Sequence, residues 1–402
     1  FCNIDLLDEK FETKRNQYVG VKDGRIAYIG ASEPEEDFGE RYDGRHRLLM
    51  PAFYNVHSHA PMTLLRGYAE NLPLQRWLGE KVFPFEDQID DEAAYYGTLL
   101  AISEMLASGT ASFSDMYFFF GGMVPAILES GIKCNLSRGL TVFDDSDYTD
   151  LPAYRDNVRL RGEWNGANNG RLIGDLCIHG EYTSNPKIVE AVAQHARETG
   201  ARIQIHLSET QTEHEECKGR HGLTPAAYME KDEDFDILKR HGVTVACCPA
   251  SNLKLASGYA NVPKMLESGI NVALGTDGAA SNNNLNIMQD MYLFGVVYKG
   301  YFRDPTIITP AEVLHAATRA GALSQGRDDS GLLAVGMRAD TPQFTPMTSA
   351  ACNVVYAAQG ADIRMTMVDG EILYRDGEFK TIDIEKVKAE VQRRTDSILS
   401  RL

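Results

Sequence analysis

The sequence predicts an α/β protein: a (β/α)8 TIM-like barrel with a small β-sandwich formed by both chain ends. Three observations carry this expectation. From Leu49 onward apolar strands alternate with helical segments, the pattern of a parallel sheet. Residues 1–48 and 330–380 instead read as short strands and turns, which suits one β-module built from both ends. Side chains capable of chemistry close several of the apolar strands, and a barrel gathers those strand ends on one face.

Taken in order, Tyr18–Val21 and Ile26–Gly30 flank Lys22-Asp23-Gly24-Arg25, a hairpin turn. Barrel strands are expected at Leu48–His57, Ala111–Met116, Lys133–Gly139, Ile173–His179, Arg202–His206, Val243–Cys248 and Asn271–Gly275. Helices are expected at Glu92–Ala107, Lys187–Glu198, Pro263–Glu267, Asn286–Lys299 and Pro310–Ala322, several stopped by Ser-Gly or Thr-Gly. The domain plan is therefore 1–48 for the first part of the sandwich, 49–329 for the barrel, 330–380 for the rest of the sandwich and 381–402 for a terminal helix. Thr224–Lys231 and Asp234–His241 read as consecutive helices with no apolar strand between them. The count is seven strands, with one missing near 231–233, although the tilt and shear of an eight-stranded barrel do not let it simply drop one.

Composition narrows the function. The 402 residues carry 57 acidic against 40 basic side chains, a net charge of −17. Without basic clusters, neither nucleic acid nor an anionic membrane is expected as a partner. No apolar run reaches the roughly 18 residues of a membrane span, and the first residues lack the basic and apolar regions of a signal peptide, so a cytoplasmic location is expected. Seven scattered cysteines suit reduced thiols, and Cys247-Cys248-Pro249 reads as buried strand packing.

Pro51–Met62 ends an extended apolar run in His57 and His59, and a spacing of two on a strand points both imidazoles to the same side. His179, His206 with Glu209, and Asp277 occupy comparable strand ends. Alone, Asp277 before glycine is an ordinary turn residue and His179 an ordinary hydrogen-bonded histidine. Together, three imidazoles and a carboxylate are a ligand set for one divalent metal, zinc or ferrous iron, with a position open for water. His46, His195, His214, His221, His241 and His315 show no such placement, and His214-Glu215-Glu216-Cys217 lacks the second histidine of a zincin helix.

Several long stretches extend this reading: Asn55–Gly67, Leu72–Leu78, Ile205–Thr210, Ser251–Gly258 and Gly275–Asn282. On these the chain resembles the amidohydrolase superfamily, a group of metal-dependent hydrolase barrels, and within it the 5-methylthioadenosine/S-adenosylhomocysteine deaminases and their chlorohydrolase-like relatives. The resemblance implies hydrolytic deamination of an adenosine-type nucleoside and a homo-oligomeric assembly. It assigns His57, His59, His206 and Asp277 to a single metal, because Ile173–His179 contains no lysine for a second. It further makes Asp277 the base that accepts the attacking water's proton and Glu209 the acid that protonates the ring nitrogen. Glu86, Arg138 and His179 would contact ribose, a distal carboxylate and the purine ring.

The chain departs from that pattern in three places. The relatives' strand before the one ending in Cys248 bears a further histidine, and no counterpart is evident here. Gly336–Pro342 lacks the relatives' continuation into an apolar strand, and a second carboxylate-binding arginine is replaced by Ala153, with Arg155 two residues on. The residues leave open an amidohydrolase of the same subgroup acting on guanine, a pterin or a triazine. A metal-free binding protein is disfavoured because it would have no reason to keep all four ligands.

Overall fold

The computed structural model describes residues 1–229, 234–344 and 350–402. Strands are numbered in chain order. The first four are β1 Ile4–Leu7, β2 Thr13–Lys22, β3 Arg25–Gly30 and β4 Leu48–Leu49. The next eight are β5 Phe53–His59, β6 Thr110–Tyr117, β7 Lys133–Arg138, β8 Leu172–Gly180, β9 Ile203–His206, β10 Thr244–Cys247, β11 Asn271–Leu274 and β12 Asp277–Gly278. The last four are β13 Thr341–Phe344, β14 Met365–Val368, β15 Glu371–Arg375 and β16 Glu378–Phe379.

Strands from both chain ends share one eight-stranded sheet, ordered β16-β15-β14-β13-β4-β1-β2-β3. Asp23 and Gly24 between β2 and β3 both have positive φ, 51° and 74°, as a tight hairpin turn of matching twist requires. The strand expected over Leu48–His57 is in fact two. Leu48–Leu49 pairs with β1 and β13 in this sheet, while Phe53–His59 enters the barrel. Pro51, which has no N–H to donate to a ladder, lies at the changeover. A strand does begin within Gly336–Pro342: β13 starts at Thr341 and pairs with β14 and β4.

The barrel strands run parallel in the order β12-β5-β6-β7-β8-β9, with β10-β11 as a separate pair. The chain leaves β11 at Leu274 and three residues later lies against β5, Asp277 opposite Ser58 and Gly278 opposite His59. Asn55 completes this closure, its side-chain amide donating to Thr276 Oγ1 at 2.7 Å and its oxygen accepting from Thr276 N–H at 3.0 Å. Gly275 is required by the approach, since a Cβ there would lie 2.8 Å from His57 Cβ. On the other side the ring is open. Among the described residues no strand pairs with the free edges of β9 and β10, and Ile203 and Val243 beside this seam are each 38% exposed. The strand expected to be missing near 231–233 falls outside the described residues.

Helices pack outside the barrel strands. Asp90 caps Asp91–Ala107 by accepting from Ala93 N–H, and Asn185 caps Pro186–Thr199 by accepting from Ile188 N–H. The terminal helix, Ile384–Leu399, lies on Asp91–Ala107, where Arg394 pairs with Glu92.

The sheet built from both chain ends is joined to the N-terminal end of the barrel by buried charge. Lys133, the first residue of β7, places Nζ 2.6 Å from Asp340 Oδ2 and 2.8 Å from Asp369 Oδ1. Tyr54 on β5 donates its hydroxyl to Asp340 at 2.5 Å, and Arg171 and Arg338 reach Asp369. The C-terminal strand ends are thereby left clear of this sheet. Among the described residues no helix is long and apolar enough to cross a membrane.

Candidate active site

Two strand ends bring three of the sequence-marked histidines together. His57 and His59 leave β5 on the same side, as alternation requires, and His206 closes β9. Their ligand nitrogens lie within 4.8 Å of one another. Asp277 faces them, Oδ1 being 3.4 Å from His57 Nε2 and 3.2 Å from His59 Nε2. Its φ of 61° makes the turn that swings the carboxylate from β11 onto β5.

The outer faces of the rings fix their tautomers. His59 Nδ1 donates to the Met116 carbonyl and His206 Nδ1 to the His179 carbonyl, both at 2.8 Å. A carbonyl only accepts, so Nδ1 of each ring carries a proton and Nε2 is the atom turned toward the cluster. Burial, reinforced by the neighbouring imidazoles, pushes His206 well below the ordinary histidine range and so keeps it neutral. His57 is lowered mainly by burial. Burial acts the same way on His59, but the hydrogen bond and charge of Asp277 outweigh it and raise that ring to about 9. Burial alone would raise Asp277; its hydrogen bonds to His57 and His59 hold it well below the usual carboxylate range. Three neutral-capable imidazoles with anchored outer nitrogens and one ionised carboxylate suit a single divalent metal such as zinc.

A cavity of about 980 Å³ opens over this cluster and reaches the seam between β9 and β10. Glu209, Glu86 and His179 line it. Burial, together with the charges of Asp277 and Glu213, pushes Glu209 up to about 7, and burial does the same for Glu86, which accepts from the Tyr117 hydroxyl. His179, lowered by burial and then by His59 to about 4, is a neutral ring whose Nδ1 lies 3.0 Å from Thr183 Oγ1. Arg138 is placed differently. It does not line the cavity; its Nε binds Asp156 at 3.0 Å and its guanidinium stacks on Phe118.

Two residues to which the sequence reading gave no role hold Asp277 in place. Ser251 and Ser281 both donate hydroxyls to Asp277 Oδ2 at 2.6 Å, leaving Oδ1 to the histidines. Asp290 supports both loops from beneath, accepting from Ala250 N–H and from Asn282. Both serines lie inside the stretches that carried the resemblance, but hydroxyls are too common in loops to stand out alone. Cys247 and Cys248 are buried and unbridged, as expected for strand packing.

Residues 48–373 match the amidohydrolase family. A protein of Syntrophomonas wolfei named 5-methylthioadenosine/S-adenosylhomocysteine deaminase is 38% identical, over 96% of this chain and 95% of its own. One of Methanothermobacter thermautotrophicus named 5′-deoxyadenosine deaminase is 36% identical over 92% of each. The crystal structure of a zinc-bound adenosine deaminase from Xanthomonas campestris superposes with a TM-score of 0.88 at 26% identity, covering 99% of this chain and 98% of that one.

Proposed function

This chain belongs to the amidohydrolase family, and from that premise we propose that it is a zinc-dependent aminohydrolase converting an adenosine-type nucleoside to its inosine analogue and ammonia. The candidate substrates are 5-methylthioadenosine, S-adenosylhomocysteine and adenosine. The observation that carries this reading is the gathering of His57, His59, His206 and Asp277 at one cavity whose wall also holds Glu209, a carboxyl that burial pushes up to about 7.

His57, His59, His206 and Asp277 hold the metal, which when bound supplies Lewis-acid activation of a water. Asp277, kept in register by Ser251 and Ser281, takes the proton of the attacking water. Glu209 holds a proton toward the cavity and gives it to the ring nitrogen next to the carbon under attack, so that the amine can leave as ammonia. His179 lies against the purine, and Glu86, anchored by Tyr117, receives the ribose. Arg138, turned away from its own cavity, is proposed to reach the distal carboxylate of a substrate bound by a neighbouring copy in a homo-oligomer. We further propose a cytoplasmic enzyme, in keeping with its unbridged cysteines.

Ammonia release across adenosine, methylthioadenosine, S-adenosylhomocysteine, guanine and a pterin tests the substrate class. Turnover is expected only with the three adenosine compounds, and Arg138→Met should weaken S-adenosylhomocysteine turnover alone. Reaction with guanine or the pterin but with no adenosine compound would refute the assignment. The pH profile tests the acid. With Glu209 at about 7, its protonated form is depleted as pH rises, so kcat/KM should be level well below 7, reach half its plateau near 7 and fall about tenfold per unit well above it. A profile level from pH 6 to 9 would remove Glu209 from this role.

A further inference from the structure

Glu213 has no part in the chemistry above, yet it holds the backbone of the residue that does. The helix Gln211–His221 starts from Thr210, whose hydroxyl accepts from Glu213 N–H at 3.1 Å. In a Thr-x-x-Glu start the glutamate ordinarily folds back onto the N–H of the cap residue. Here it reaches further along the chain, Oε1 accepting from Ser208 N–H at 3.0 Å and Oε2 from Glu209 N–H at 2.7 Å. One buried carboxylate thus fixes two successive peptide planes, one of them belonging to Glu209 itself.

The turn it holds is a strained one. Ser208 has a φ of 53°, a left-handed conformation that a non-glycine residue adopts only at a cost. This turn carries the chain from His206, at the end of β9, to Glu209 on the cavity wall. The helix behind it is anchored at its other end as well. Arg220 Nη2 and His221 Nε2 lie 2.6 and 2.9 Å from the buried carboxylate of Glu181, in the loop after β8. A carboxylate fixed to the wall through this helix can therefore set where Glu209 sits.

We propose that Glu213 is a positioning residue for Glu209, clamping the Ser208–Glu209 amides so that the Glu209 carboxyl is presented to the substrate ring. The proposal rests on the reading of Glu209 as the acid. Glu213→Gln replaces one accepting oxygen by an NH2 group that opposes a backbone N–H, and a displacement of about 1 Å in an acting group costs on the order of 10²-fold. In the metal-loaded enzyme this variant is expected to lose about 10²-fold in kcat, with KM changed less than about threefold and metal content unchanged. In a Glu209→Gln background the same substitution should change kcat by no more than about twofold, because residues acting as a unit do not add.

An unchanged kcat in Glu213→Gln, the same factor in both backgrounds, or metal loss that accounts for the effect would overturn the proposal. Glu209→Gln with full activity would overturn the reading of Glu209 and this proposal with it, and is told apart because that variant is measured alone. Should Glu213→Gln not accumulate as folded protein, Glu213→Asp keeps both oxygens one methylene short, and it goes through the same cycle under the same criteria.

Discussion

His206→Ala is expected to leave a folded protein that no longer retains its metal and deaminates more than about 10³-fold more slowly. His206 alone brings a ligand from β9, while His57 and His59 share one strand and Asp277 pairs with that strand. Removing it leaves three ligands on one side of the site. The lost Lewis-acid contribution, several kcal/mol of transition-state stabilisation, sets the size of the effect. Stoichiometry by plasma mass spectrometry and ammonia release on the same sample decide the matter. Full metal occupancy in the variant would refute the assignment of His206, and normal turnover without metal would refute the mechanism. Circular dichroism guards against unfolding; because the His206 Nδ1–H bond to the His179 carbonyl is also lost, a modest drop in thermal midpoint is expected.

The largest effect on stability is expected at Lys133→Met. Its ammonium lies between Asp340 and Asp369 with its side chain only 3% exposed, and Asp340 is as deeply buried. Deleting one member of a buried ion pair leaves the other charge uncompensated, at a cost of about 3–5 kcal/mol. Burial would raise Asp340, but Lys133 and the hydrogen bonds around it hold that carboxyl below the usual range. In the variant Asp340 should therefore bind a proton more readily, and the loss of stability should shrink as pH falls toward the ordinary carboxylate range. Thermal or urea unfolding at pH 7 and pH 5 measures both features. A midpoint equal to wild type at pH 7 would show that Arg171 and Arg338 suffice for the cluster. A chain of this size need not unfold reversibly, so scan rate must be held constant between variants.

How much could be read beforehand depends on how far apart the interacting residues lie. The pair His57 and His59 was legible because strand alternation alone places both rings together. His206, Glu209 and Asp277 were legible as strand-end residues once a barrel was expected, since every strand end shares one face. Ser251 and Ser281 were not, because only the folded loops bring their hydroxyls to one oxygen of Asp277. Arg138 shows the limit of position without orientation: it ends β7 at the correct face, yet its side chain turns to Asp156. The division of Leu48–His57 into two strands hinged on Pro51, a local signal visible in the sequence but read through. The Lys133 cluster joins residues from opposite ends of the chain, and no local pattern announces it.

The open seam beside β9 has a consequence for motion. Among the described residues β5 is bonded on both flanks, by β6 and β12, whereas β9 is bonded only to β8. Edge strands open at lower free energy than strands held on both sides, so the backbone carrying His206 is expected to open more readily than that carrying His57 and His59. A ligand that binds only the closed arrangement lowers the population of the frayed one by mass action. Amide protection of Ile203–His206 is therefore expected to rise with metal occupancy, since an ion shared by His206 on β9 and by His57 and His59 on β5 would fasten the barrel's loose edge.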